Sequence, residues 1–85
     1  MQVLRAERFK KDFKRLPREI QDTLPIILER FMSNPRHSAL HVKKMEGVRD
    51  IWEMRVTETY RITFQFVAEG VFLRRIGTHG VLRQP

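Results

Sequence analysis

Arg55, Arg61 and His79 carry most of the chemistry this sequence has to offer. Trp52, Met54 and Val56 alternate with Glu53, Arg55 and Thr57. Tyr60, Ile62, Phe64 and Phe66 alternate with Arg61, Thr63 and Gln65. A period of two marks half-buried strands. Thr57-Glu58-Thr59 between them is short enough for a hairpin turn. Pairing Val56 with Tyr60 sets Met54 against Ile62 and Trp52 against Phe64 on a core side. Arg55 then meets Arg61, and Glu53 meets Thr63, on an open side. A slip of one residue would send every side chain to the wrong face, so the pattern supports this register or a two-residue shift. Two arginines directly opposite each other cost about 0.2–1 kcal/mol. One explanation is a bound phosphate, which guanidinium groups recognise with several donors. The other is a surface ion-pair lattice, with Glu53 lying diagonally between the arginines. The pattern favours neither.

His79 follows the last apolar run and is flanked by Gly77 and Gly80. A loop histidine can transfer protons near neutral pH, and it can equally be an exposed loop residue. Lys43 and Lys44 precede Gly47 and suit phosphate steering or a solvated loop. His37 and His41 are four apart, the spacing of a helical metal pair. They lack a third ligand in register and follow Pro35, so no metal site is expected. Trp52 and Tyr60 could stack on bases, but the register turns both toward the core. The sequence has no glycine-rich phosphate loop, nucleophile elbow, HExxH or close carboxylate pair. Without cysteine there is no disulfide, thiolate zinc site or thiol nucleophile. Arginine, lysine and one histidine suit cleavage of an RNA phosphodiester, whose nucleophile is the substrate's own 2′-hydroxyl. Such a reaction needs orientation, charge stabilisation and proton transfer, with no cofactor.

The elements that position these residues are legible along the chain. Met1 to Arg5, with Val3 and Leu4, reads as a short strand. Phe9, Phe13 and Leu16 share one face of a helix over Glu7 to Leu16, and Pro17 ends it. Ile20, Leu24, Ile27, Leu28 and Phe31 form the stripe of a second helix over Arg18 to Met32. Pro25 within it predicts a kink or break near Leu24, and Ser33-Asn34-Pro35 stops it. Arg36 to Asp50 reads as a loop with a short strand around Leu40 to Val42. After the hairpin, Ala68-Glu69-Gly70 turns the chain into a last strand, Val71 to Ile76. Val81 to Pro85 reads as a short tail. The expected fold is α+β, in the order β-α-α-β-β-β. A two-helix hairpin packs on one face of a mainly antiparallel twisted sheet. At 85 residues one domain over 1–85 is expected.

Lys and Arg total 17 against 10 Asp and Glu, a formal charge of +7. That balance points to a polyanionic partner, either a nucleic acid or an acidic protein, or else serves only solubility. No apolar run approaches the ~20 residues that span a bilayer. The first sixteen residues lack a signal-peptide apolar core. The expectation is a soluble cytoplasmic protein with no membrane contact.

"LHVKKMEG" (Leu40 to Gly47), "IWEMRVTETYRITFQF" (Ile51 to Phe66) and "RIGTHGVL" (Arg75 to Leu82), in this order of elements, resemble the RelE/ParE toxin superfamily of type II toxin–antitoxin pairs. The likeness covers nearly the whole chain. The Gly-Thr-His ending resembles the YafQ-like messenger-RNA-cleaving members more than the gyrase-poisoning ParE members. The resemblance implies a ribosome-dependent endoribonuclease that cuts messenger RNA, needs no metal and is restrained by a cognate antitoxin. Free toxin would be a monomer, captured by antitoxin into a larger complex. By position, Arg61 matches a phosphate-binding catalytic arginine of RelE, and Arg55 a functional lysine. His79 matches a proton-transfer histidine of the YafQ-like branch. Lys43 and Lys44, with His41 beside them, fall in a loop that supplies basic or histidine residues in relatives. Glu53 stands where RelE is basic. Leu82 and Arg83 stand where RelE carries a tyrosine. The set implied here is Arg61, His79 and Arg55 for catalysis, with Lys43, Lys44, Arg83 and His41 binding RNA or phosphate. A ParE-like gyrase inhibitor and a non-catalytic binding module are the alternatives on the same fold.

Overall fold

Two amphipathic helices and one half-apolar sheet can bury their stripes only against each other. The computed structural model, which describes residues Gln2–Pro85, shows that arrangement. The elements are β1 (Gln2–Arg5), α1 (Glu7–Lys14), α2 (Arg18–Ser33), a 3₁₀ turn (Ser38–Leu40), β2 (Lys43–Lys44), β3 (Trp52–Arg55), β4 (Arg61–Val67), β5 (Gly70–Gly77) and a second 3₁₀ turn (His79–Leu82). The sheet order is β1-β5-β4-β3-β2. β1 runs parallel to β5, and every other pair is antiparallel. The expected first strand is present, although Met1 lies outside the described residues. No described helix is long and apolar enough to cross a membrane.

The predicted stripes are the buried ones. Phe9, Ile20, Leu24, Ile27, Leu28 and Phe31 meet Met54, Ile62, Phe64, Val71, Leu73 and Ile76 in one cluster. Gln21 of α2 donates to the Phe13 carbonyl at 2.9 Å, which joins the two helices at the end of α1. Of the kink or break expected near Leu24, the break does not occur: α2 runs unbroken through Pro25. Proline inside a helix costs about 3 kcal/mol. Ile27, Leu28 and Phe31 lie beyond it and are all buried. Each contributes roughly 1.5–3 kcal/mol, so together they outweigh the proline.

Three further expectations change. The strand placed around Leu40 to Val42 starts later, at Lys43. Leu40 instead sits fully buried in the first 3₁₀ turn. His41 follows at φ 47°, in the left-handed region, and redirects the chain before β2 begins. Phe66 lies on the helix side against Phe31, Phe64 and Trp52. It is nevertheless 46% exposed, because α2 ends just past Phe31. Finally, residues 81–85 are no loose tail. Val81 is buried, and the segment beyond it folds back onto the open side of the sheet.

Candidate functional site

The β3–β4 register is the one the alternation predicts: Trp52 with Phe64, Glu53 with Thr63, Met54 with Ile62 and Arg55 with Arg61. Val56 N–H donates to the Tyr60 carbonyl at 3.0 Å and closes the hairpin. Thr57 Oγ1 accepts from the Thr59 and Tyr60 amides at 3.3 and 3.2 Å and shapes the turn. Arg61 answers that shape. Its Nη1 donates to the carbonyls of Thr57, Glu58 and Tyr60 at 2.7, 3.0 and 3.0 Å. These acceptors hold one edge of the guanidinium. Nε and Nη2 make no hydrogen bond to any described residue.

This arrangement bears on the ion-pair lattice offered as one explanation for the facing arginines. The ion pairs among the described residues are Lys10–Glu7, Arg18–Asp22, Lys44–Asp50 and Arg75–Asp12. Glu53 pairs with neither Arg55 nor Arg61. The turn carbonyls offset part of the Arg61 charge, and no carboxylate lattice does so. Arg55 and Arg61 thus face each other in the register, and neither is paired with a described carboxylate.

Arg61 is paired in turn with Gly77 at the end of β5. One row therefore runs Arg55, Arg61, Gly77 across three strands, and His79 begins the 3₁₀ turn just beyond it. His79 is exposed, while Val81 of the same turn is buried and anchors it. Gly77 is required here by space. A Cβ on it would stand 2.7 Å from Val81 Cγ1. Close packing of this turn on β5 is what holds His79 near the arginine row.

The other sequence-predicted residues divide. Lys43 lies opposite Glu53, so it faces the same open side as the arginines, one row away. Lys44 lies opposite Trp52 and faces the helix side, 3.9 Å from Asp50. His41 also belongs to the helix side, in a groove with His37, Trp52 and Phe66. Neither Lys44 nor His41 joins the arginine row. Arg83 is exposed, between the second 3₁₀ turn and the folded-back segment. His37 and His41 flank the short 3₁₀ turn and do not stack on an α-helix. Among the described residues no three of His, Cys, Asp and Glu gather as metal ligands.

Sequence reasoning passed over Arg74 and Arg75. Thr63 was expected on the open face and is fully buried there, because its Oγ1 donates to the Pro85 carbonyl at 3.2 Å. Arg74 Nε donates to the same carbonyl at 2.9 Å, and its Nη1 to Gln65 at 2.8 Å. Arg75 Nη1 donates to the Gln84 carbonyl at 3.2 Å. Its Nε and Nη2 grip both oxygens of Asp12 on α1, at 2.8 and 3.0 Å. That hydrogen bond raises the Arg75 pKa above its ordinary value, against the opposing effect of burial. These arginines hold the molecule together and leave the Arg55–Arg61 end of the open face uncovered. The signal was in the spacing. Leu73 and Ile76 are both core residues three apart, which in a strand requires a bulge.

The same fold occurs in known toxins. The RelE chain of the RelB–RelE antitoxin–toxin complex from Methanococcus jannaschii is 26% identical. It superposes with a TM-score of 0.76, and 96% of each chain is covered. It belongs to the RelE-like toxin superfamily. YafQ from Escherichia coli strain BL21(DE3) matches this RelE-like chain with a TM-score of 0.77 at 14% identity, over 95% of this chain and 96% of that one. The intact E. coli RelBE toxin–antitoxin complex matches with a TM-score of 0.67 at 24% identity, over 89% and 93%. No protein-family model and no curated protein sequence matches.

Proposed function

We propose that this chain is the toxin of a type II toxin–antitoxin system and cuts messenger RNA on the ribosome. The observation that carries the reading is the row of Arg55, Arg61 and Gly77 with His79 at its end, open on a fold shared with RelE. Messenger RNA lies across the uncovered part of the open face. Arg55 and the free Nε and Nη2 of Arg61 hold the scissile phosphate and stabilise charge as it builds on phosphorus. The substrate 2′-oxygen bonds to phosphorus while the bond to the 5′-oxygen breaks. His79 gives its proton to the departing 5′-oxygen while water takes the proton of the 2′-hydroxyl, or takes that proton while water protonates the 5′-oxygen. The products are a 2′,3′-cyclic phosphate and a 5′-hydroxyl. Arg83 and Lys43 supply further phosphate contacts at the rim. The protein acts in the cytoplasm, free toxin is a monomer, and an acidic cognate antitoxin neutralises it.

The test is a translating extract in which messenger-RNA 5′ ends are mapped with and without ribosomes. Wild-type protein should give ribosome-dependent ends. Arg61→Ala should lower cleavage by about 10²–10³, the cost of one charge-stabilising donor. His79→Ala should lower it by about 10²–10⁴, the range for a positioned acid or base. Full cleavage by His79→Ala would remove the histidine from the mechanism. Absence of ends from folded wild-type protein would remove the nuclease.

A further inference from the structure

On the helix side of the sheet, behind the arginine row, a second groove of about 520 Å³ opens beside β3. Phe66 and Trp52 form its aromatic wall, with ring centroids 5.3 Å apart and edge-to-face. Phe66 is 46% exposed there, which is unusual for a ring that also stacks on Phe31. Arg36, His37 and His41 stand on the opposite side. No carboxylate lines the groove. His37 Nδ1 accepts from the Ala39 amide at 3.1 Å, so its neutral ring carries its proton on Nε2 as a free donor. His41 is held at φ 47°, a conformation costly for a residue with a Cβ. An exposed aromatic face lined by one arginine and histidine donors, with the Asp50 carboxylate outside the lining and beside Lys44, fits a ligand that is both planar and anionic.

We propose that this groove is a second nucleic-acid contact, in which one base of single-stranded RNA stacks on Phe66 and its phosphate meets Arg36. The choice of RNA rests on the function proposed above. β2 supplies the route between the two sites. Its two residues point to opposite faces, Lys43 with Glu53 on the open side and Lys44 with Trp52 on the groove side. β2 is the edge of the sheet, two strand positions from β4 and Arg61. At about 4.8 Å per strand, and with Lys43 level with Thr63 two residues along from Arg61, that is ~12 Å. A flexible strand held at Arg61 can therefore pass Lys43, round the edge at Lys44 and place a base against Phe66.

Trp52 is the single tryptophan, so its fluorescence reports on the groove directly. The experiment titrates the full chain with an oligoadenylate hexamer in the absence of ribosomes. Saturable quenching is expected. Phe66→Leu, which keeps an apolar side chain, should weaken binding about tenfold, the loss of one base stack. Arg36→Ala, at an exposed position where folding is not at risk, should weaken binding and reduce its salt dependence by about one ion. No quenching by wild-type protein overturns the proposal, as does wild-type affinity in both groove variants. Quenching by a polyglutamate peptide and not by RNA also overturns it and makes the groove a protein site. Messenger-RNA cleavage without quenching overturns the groove alone, and quenching without cleavage overturns the nuclease alone.

Discussion

Under the proposed function Arg61 combines two tasks, holding the turn and holding phosphate. Nη1 is occupied by three turn carbonyls, and Nε and Nη2 remain free on the open side. A lysine has one nitrogen for both tasks. Arg61→Lys should therefore keep the charge and the fold yet lose about 10²-fold in single-turnover cleavage of ribosome-bound messenger RNA. Activity within threefold of wild type would show that Arg61 contributes only charge. The Arg55–Arg61 register was legible because alternation in both strands permits only this pairing or a two-residue shift, and the structure shows this one. Whether an ion-pair lattice joins the two arginines was not legible. It depended on whether Glu53 or the turn carbonyls reach the guanidinium, and strand periodicity does not say where a long side chain ends.

At the scale of elements, the second 3₁₀ turn is where packing reaches the chemistry. Val81 is buried against Gly77, and His79 rides on the same turn. Gly77→Ala would put its Cβ 2.7 Å from a stiff, buried valine methyl, so the turn must shift. Cleavage should fall at least tenfold while the affinity for RNA changes little, as measured by single-turnover rate against substrate concentration. Adding Val81→Ala should restore part of the rate. No rescue would place the fault elsewhere. Helices and strands were readable from period alone. Pro25 misled because a local penalty of about 3 kcal/mol gave way to three buried side chains beyond it. β2 was displaced because Leu40 is drawn into the core, and strand pairing starts only after His41 reverses the chain.

Across the whole molecule, Asp12 and Arg75 join elements far apart in sequence. Asp12 on α1 takes two hydrogen bonds from Arg75 and one from the Ile76 amide, and Arg75 also holds the Gln84 carbonyl. Both side chains are at most 15% exposed. Removing one charge of such a pair strands the other, at a cost on the order of 3 kcal/mol. Asp12→Asn should lower the melting temperature by roughly 15 °C for a domain of this size, measured by calorimetry. A drop under 3 °C would show that the pair is as weak as an ordinary surface bridge.

The sequence by itself determined the order of elements, the hairpin register and the burial of the helix stripes. It also determined the adjacency of Arg55 and Arg61. Each follows from side-chain period and turn length, which act over a few residues. Tertiary structure alone decided that residues 83–85 cover Thr63, that Arg74 and Arg75 serve the scaffold, and that Lys44 and His41 face away from the arginine row. Those outcomes depend on a bulge, on an edge strand with two faces and on contacts between residues more than sixty apart in the chain, such as Asp12 and Arg75. Local pattern carries no record of where such partners meet.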